Sequence, residues 1–356
     1  MRTEDDPWAA AVSATVSRQF SIFSLIGLLA FSPLHADPPP RLRIEQKALS
    51  VIASSVAIQD IMVFLKGSPE PVFGAFRHGI FIPAAPFVRG QSYKVRLSFA
   101  DGSTTSQEMT FGEASLAKPT VHLSPATGHI PANTLKLYLD FSEPMEQGVF
   151  LRHLMLQRRK GEEVVGAFRE TELWSPDGKR LTVLLHPGRQ KTGVNLQVDE
   201  GPVLLAGEPH SLVVSGQWRS TSGVQLGKEV AFRLEAIAAD HNPPDPTRWQ
   251  VQVPKAATMQ PLVVITDELF EPQIFQRALQ LPEVSGQAEA SVIEQKRLEW
   301  RFKPVKPWPP GEYEVTIDPD LEDLAGNTTQ GPFEVNLTTA KMPVRSSSIS
   351  FCVPVR

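Results

Sequence analysis

Thirty-two prolines are spread along the 356 residues. That is roughly 9% of the chain against an average near 5%, and the scatter constrains the fold more than any motif. An interior proline removes a helical backbone donor and clashes with the preceding turn. Short strands tolerate the same spacing, with proline at strand starts, edges and turns. The expectation is an all-β chain in which helix is nearly absent; Gln273–Leu281 is the one short helical candidate.

Between the prolines, apolar residues recur with the period of a half-buried strand. Tyr93, Val95, Leu97 and Phe99 alternate with Lys94, Arg96 and Ser98, and Asp101-Gly102 supplies a hairpin turn before Thr104–Phe111. Leu135, Leu137, Leu139 and Phe141 alternate with Lys136 and Asp140. Leu173-Trp174, the turn at Asp177-Gly178 and Arg180–Leu185 form a second hairpin. Further strands are expected at Leu49–Ile58, Asp60–Leu65, Val72–Phe76, Val194–Val198, His210–Val214, Glu229–Leu234 and Gly311–Ile317. Strands with one apolar face must stack as two sheets, which makes antiparallel sandwiches the natural architecture.

Two breaks divide the chain. Gly112–Pro119 reads as a linker, and Asp240–Pro246 places three prolines in four positions, which forbids helix and ladder alike. Beyond the second break the pattern partly repeats: Pro261–Pro272 resembles Leu135–Pro144, and Lys296–Phe302 resembles Lys179–Leu184. The expected domains are residues 41–112, 119–237 and 247–339, with a tail over 340–356. The single Cys352 excludes an intrachain disulfide, so sheet packing alone must hold each domain.

Residues 1–36 read as a signal peptide. Arg18 precedes the apolar run Phe20–Phe31, and Ala36 is the expected cleavage position. No cysteine follows the run to carry a lipid anchor, and no later stretch is long enough to span a membrane once the leader is cut. The expected location is extracytoplasmic: secreted, periplasmic or on the cell surface.

The stretch Leu123–Met145, with its Pro and Gly turn and its ending Phe141-Ser-Glu-Pro-Met145, resembles the opening of bacterial Ig-like domains of the S-layer-associated SbsA type. Leu321-Glu-Asp-Leu-Ala-Gly-Asn327, followed by Phe333-Glu-Val335, is similar to the closing D-x-x-G-N turn and last strand of that family. The likeness covers about residues 119–338 as two modules. The first has Ser220-Thr-Ser-Gly-Val where the closing turn is expected, and the second, at Asp267–Pro272, lacks the full opening motif. It implies tandem Ig-like β-sandwiches that act as spacers or adhesive units in exported bacterial proteins, with no catalytic residue to carry over. Residues 41–112 form either a third such sandwich or a sheet packed on its neighbour.

The chemistry points the same way. A net charge of −4 and a pI near 6.1 give no footprint for nucleic acid; Arg158-Arg159-Lys160 reads as a hairpin tip. The histidines show no metal-ligand spacing, with His210 and His241 expected in solvated loops, and no nucleophile elbow, P-loop or dinucleotide fingerprint occurs. Trp174–Val183 resembles a blade of TolB-type propellers, but it occurs once. Asp318, Asp320, Asp323 and Asn327 are the candidate Ca²⁺ ligands, in an oxygen-rich loop without the EF-hand pattern; no other cofactor is implied. Trp218, Trp249 and Trp308 are the candidate loop aromatics for ligand recognition. The sequence therefore predicts an exported, non-enzymatic spacer, scaffold or adhesion protein of the cell envelope. Its partner would be a protein or a surface polysaccharide, and the alternatives are a carbohydrate- or protein-binding module or an accessory subunit of an envelope enzyme.

Overall fold

Alternation of exposed and buried side chains fixes the strands of the first sandwich. The computed structural model describes residues 39–355 apart from 115, 116, 127, 191–194, 294–296 and 335–346, so the signal peptide expected at 1–36 lies outside the described residues. Strands β1 (Arg41–Glu45), β2 (Ala48–Ala53), β5 (Ile80–Pro83) and β4 (Gly74–Arg77) form one sheet in that order. Strands β3 (Ile58–Leu65), β6 (Ser92–Phe99) and β7 (Thr104–Thr110) form the other. Leu49, Val63, Val95 and Leu97 are wholly buried between them. At the start of β6, the Tyr93 hydroxyl accepts the Val88 N–H at 2.8 Å, the corner typical of an Ig strand F.

The second sandwich packs β8 (Val121–Ser124), β10 (Lys136–Phe141), β13 (Arg180–Leu184) and β12 (Leu173–Trp174) against β9 (His129–Pro131), β15 (Val230–Ile237), β14 (Pro209–Val214) and β11 (Leu154–Gln157). Its first strand switches sheets: β8 pairs with β10, and β9 runs parallel to β15. Phe141, Trp174 and Trp218 meet ring to ring in the core, with centroids 5.2–5.9 Å apart.

The connection from β13 to β14 differs from expectation. Where a strand was predicted at Val194–Val198, the described part is helical: α1 (Pro187–Gln190) is followed by α2 (Asn195–Glu200), and Val194 lies outside the described residues. Buried Arg189 explains the choice. Its guanidinium donates to the carbonyls of Val165, Glu200 and Gly201 at 2.5, 3.1 and 2.8 Å, satisfying acceptors that the end of a helix leaves open.

In the third sandwich, β16 (Gln250–Gln252), β17 (Leu262–Ile265), β20 (Arg297–Pro304) and β19 (Gly286–Ile293) face β18 (Leu279–Gln280), β21 (Gly311–Ile317) and β22 (Ser348–Val353). Helix α3 (Pro272–Ala278) lies on the expected helical candidate, with Pro272 in its first turn and Glu271 as its cap. Tyr313, near the start of β21, donates its hydroxyl proton to the Pro309 carbonyl at 2.9 Å and repeats the corner of the first sandwich. The last strand falls in the segment read as a tail. Ile349, Phe351 and Val353 face the core while Ser350 and Cys352 face out, so period-two burial continues almost to the terminus. Val335 lies outside the described residues.

All three sandwiches share one connectivity. Lettered along the chain, strands A, B, E and D make one sheet and C, F and G the other, the order of a constant-type Ig domain. The repeated stretches occupy matching places: β10 and β17 are both strand B, and β13 and β20 are both strand E. Among the described residues, no helix is long and apolar enough to cross a membrane.

Candidate functional site

The most specialised chemistry lies where the second and third sandwiches meet. After β21, the segment through Leu321–Asn327 turns away from its own sheets and plugs its neighbour. Leu324 joins the buried core of the second sandwich, and its carbonyl accepts the Leu135 N–H at 3.0 Å. Gly326 has φ +82°, and a Cβ there would lie 2.5 Å from Leu135 Cδ1, so glycine is demanded by both backbone and contact. Asp323 organises the loop: Oδ1 accepts the N–H groups of Ala325 (2.8 Å) and Asn327 (2.9 Å), while Oδ2 accepts Asn327 Nδ2 at 2.8 Å. The motif that resembles a domain's closing turn thus serves as an inter-domain plug.

The proline-rich break is docked into the same joint. Asn133 and Asp240 exchange two hydrogen bonds, Nδ2 to the Asp240 carbonyl at 2.6 Å and the Asp240 N–H to Oδ1 at 2.8 Å. Asn327 Nδ2 reaches the Asp240 carbonyl at 3.2 Å. Here the carboxylates of Asp240, Glu268 and Asp323 come together, with one oxygen of each within 4.8 Å of the others. Burial, joined by the negative charges of Asp323, Asp267 and Asp240, pushes Glu268 up to about 9; Arg248 opposes this. Burial also raises Asp323, to about 7, against the pull of its hydrogen bonds. Like charges this close cannot all ionise, so at neutral pH the group retains a proton.

A few residues away, Glu271 forms a second latch. Its Oε2 caps α3 by accepting the Ile274 N–H at 2.7 Å. Its Oε1 crosses to the second sandwich, accepting Arg180 Nη2 and Ser124 Oγ, each at 2.8 Å. Arg180 is clamped to Asp140 at 2.6 and 2.8 Å and lies over the Tyr138 ring. The first and second sandwiches meet at a separate joint. The Arg89 N–H donates to the Thr221 carbonyl at 3.0 Å, and Gln91 Nε2 to Glu146 Oε1 at 3.1 Å; burial raises the Glu146 carboxyl above its usual range. Gly223 has φ +86°, and a Cβ there would lie 2.2 Å from the Arg89 carbonyl oxygen.

The sequence-predicted residues are only partly gathered. Asp323 and Asn327 meet in the plug, whereas Asp318 and Asp320 stand exposed at the turn before it, outside the carboxylate group. The joint's other carboxylates, Asp240 and Glu268, come from a linker and from a loop after strand B, and no local spacing marks them. The aromatic reading is corrected outright. Trp218, Trp249 and Trp308 are 0, 5 and 1% exposed; two indoles donate inward, to the Glu146 and Gln260 carbonyls at 2.9 and 2.7 Å, and Trp249 packs on Phe270 and Phe275. Size and apolarity drew them into the cores. His210 is also buried, with Nε2 accepting the Leu205 N–H at 3.3 Å, and burial lowers its pKa. His241 is exposed, as expected.

No protein-family signature matches the sequence, and no curated protein does either. Among solved structures, the first eight Ig domains of Down syndrome cell adhesion molecule align at 11% identity over 75% of this chain and 34% of that one, with a TM-score of 0.18. The three fibronectin domains FN1–FN3 of chicken CNTN1 align at 12% over 90% and 99%, with a TM-score of 0.20. Domains 4–9 of the surface layer protein SbsC align at 11% over 88% and 43%, with a TM-score of 0.21. The chain thus spans about a third of the first fragment and under half of the third. Superpositions this loose carry no functional argument; the fold rests on the sheet order, and by that order the chain is a tandem array of Ig-like β-sandwiches.

Proposed function

We propose that this protein is an exported, non-catalytic scaffold of the bacterial cell envelope whose sandwiches hold surfaces at a fixed separation. The observation that carries the reading is the joint between the second and third sandwiches. Leu324 is buried in its neighbour's core, and Glu271, Arg180, Asp140 and Ser124 form a cross-domain polar latch. Buried side chains and polar linkages spent at a domain boundary suit a part that must keep its geometry; freely jointed domains meet through smaller, more polar contacts. Recognition through the three tryptophans finds no support, because their indoles are interior.

Export is carried by the basic flank, apolar run and Ala36 of the first 36 residues. Mass spectrometry of the protein recovered from the extracytoplasmic fraction of a bacterial host is the direct test. A mature amino terminus at or near Asp37 is expected. Recovery only from the cytoplasm, with residues 1–36 intact, overturns the envelope assignment.

A further inference from the structure

The A-B-E-D sheet of the first sandwich has an outer face unlike those of its neighbours. Directly opposed residues of antiparallel strands share a face, so the register places Arg43, Ser50, Ile80 and Arg77 in one outward row and Ile82 with Ala75 in the next. Ile52 extends the same face, two residues along β2 from Ser50, and Phe73, just before β4, continues it through its carbonyl, which accepts the Ala84 N–H at 2.8 Å. Ile52, Phe73, Ile80 and Ile82 are 62, 86, 39 and 54% exposed. The residues beside them on that face, Ala48, Ser50 and Ala75, are small, so nothing long shields the isoleucines.

The equivalent sheet of the third sandwich shows what shielding looks like. There, outward Val263 and Ile265 are only 4 and 8% exposed, because Gln252 and Arg301 flank one and Gln250 and Glu299 flank the other. In the second sandwich the outward row is polar, His122 beside Asp140 beside Arg180, and the α3 cap Glu271 lies against it. Of the three, the first alone presents an uncovered apolar plate.

Its rim is basic. Arg43 and Arg77 project from the same face, and exposed Lys47 lines a cleft with Ile82. The acids at this border are occupied: Glu45 pairs with Arg43 at 3.0 Å, Glu70 lies 4.0 Å from Arg152, and Glu172, in the cleft with Ile82, accepts the Phe150 N–H at 3.2 Å. On a chain of net charge −4, a basic border around isoleucine and phenylalanine is charge complementarity for an anionic amphiphilic surface. We propose that this outer face docks on an anionic phospholipid bilayer, with Ile52, Phe73, Ile80 and Ile82 at the acyl boundary and the arginines among the headgroups. A second copy of this chain, the other candidate occupant, would bring the two basic rims together.

The inference does not require the export reading, since it is measured on purified protein. Every core residue described lies in the compact unit Pro40–Arg356, so that unit is the protein to test, by co-flotation with equimolar phosphatidylglycerol–phosphatidylcholine vesicles and with phosphatidylcholine alone. Binding to the anionic vesicles, weakened by salt, is expected. Ile80→Ser with Ile82→Ser should cut it about tenfold or more, and Arg43→Gln with Arg77→Gln by a similar factor. Val305→Ser, at an exposed position of the third sandwich, should change nothing. These side chains are all at the surface, so unaltered thermal midpoints are expected. Absence of flotation overturns the proposal, as does binding indifferent to both pairs. Sedimentation showing that the isoleucines instead hold a dimer together overturns it in favour of the second copy.

Discussion

Glu268 shows how far one residue's chemistry can depend on its surroundings. Nothing in Ile265-Thr-Asp-Glu-Leu marks it, yet the joint pushes its carboxyl from 4.5 to about 9. In the unfolded chain the proton leaves near pH 4.5; in the folded chain it stays until about 9. Between those values the unfolded state binds fewer protons, so stability falls as pH rises across the window and levels off above it. Below pH 4.5 both states are protonated and the residue is neutral to stability. Glu268→Gln mimics the protonated form, and at pH 8.5 it should raise the thermal midpoint by about 2–4 °C for each kcal/mol of this linkage. Near pH 4 the difference should vanish. A midpoint difference that stays constant across this range in calorimetric scans would show that Glu268 does not carry the proton. Asp323 and Asn327 were legible because Asp-x-x-Gly-Asn announces a turn. Their carboxylate neighbours were not, because proximity across a domain joint leaves no spacing in the sequence.

At the scale of elements, period-two alternation was a good guide in the repeated sandwiches, with Val194–Val198 the exception. It located strands B, E and F of the repeated sandwiches, and it was missed at Ser348–Val353 only because that stretch sits at the terminus. The helix at Asn195–Glu200 was hidden for another reason: the carbonyls that favour it are satisfied by Arg189, from a different element. The last strand has a clear consequence. Ile349, Phe351 and Val353 are buried, each contributing about 1.5–3 kcal/mol, and their sum is comparable with the whole stability of a small domain. Ending the chain at residue 346 should therefore expose the F strand and unfold the third sandwich. Amide hydrogen exchange is expected to lose protection across Gly311–Ile317 while Tyr93–Phe99 of the first sandwich stays protected. Full protection of Gly311–Ile317 in the truncated chain would mean that β22 is dispensable.

At the scale of the whole molecule, the repeat was visible in the sequence but the joints were not, since the motif that looked like a domain's end turned out to be its neighbour's plug. The scaffold reading depends on that joint being stiff. Arg180 and Glu271 are 13 and 3% exposed at the side chain and lie 2.8 Å apart. Removing one partner from such a pair leaves a buried charge and costs about 3–5 kcal/mol, more than the pair itself is worth. Arg180 still has Asp140, and Glu271 still caps α3. Each single change, Arg180→Met or Glu271→Gln, should thus weaken the joint, and the double change should cost about 1–3 kcal/mol less than the two summed. Small-angle scattering reads the consequence for shape. The wild-type curve should fit one rigid arrangement of the second and third sandwiches, whereas the single variants should require an ensemble with a larger maximum dimension. Identical curves for wild type and both single variants would mean that the Leu324 plug fixes the angle unaided. Gly326→Ala, which drives a methyl group against Leu135, would then be the change that frees it.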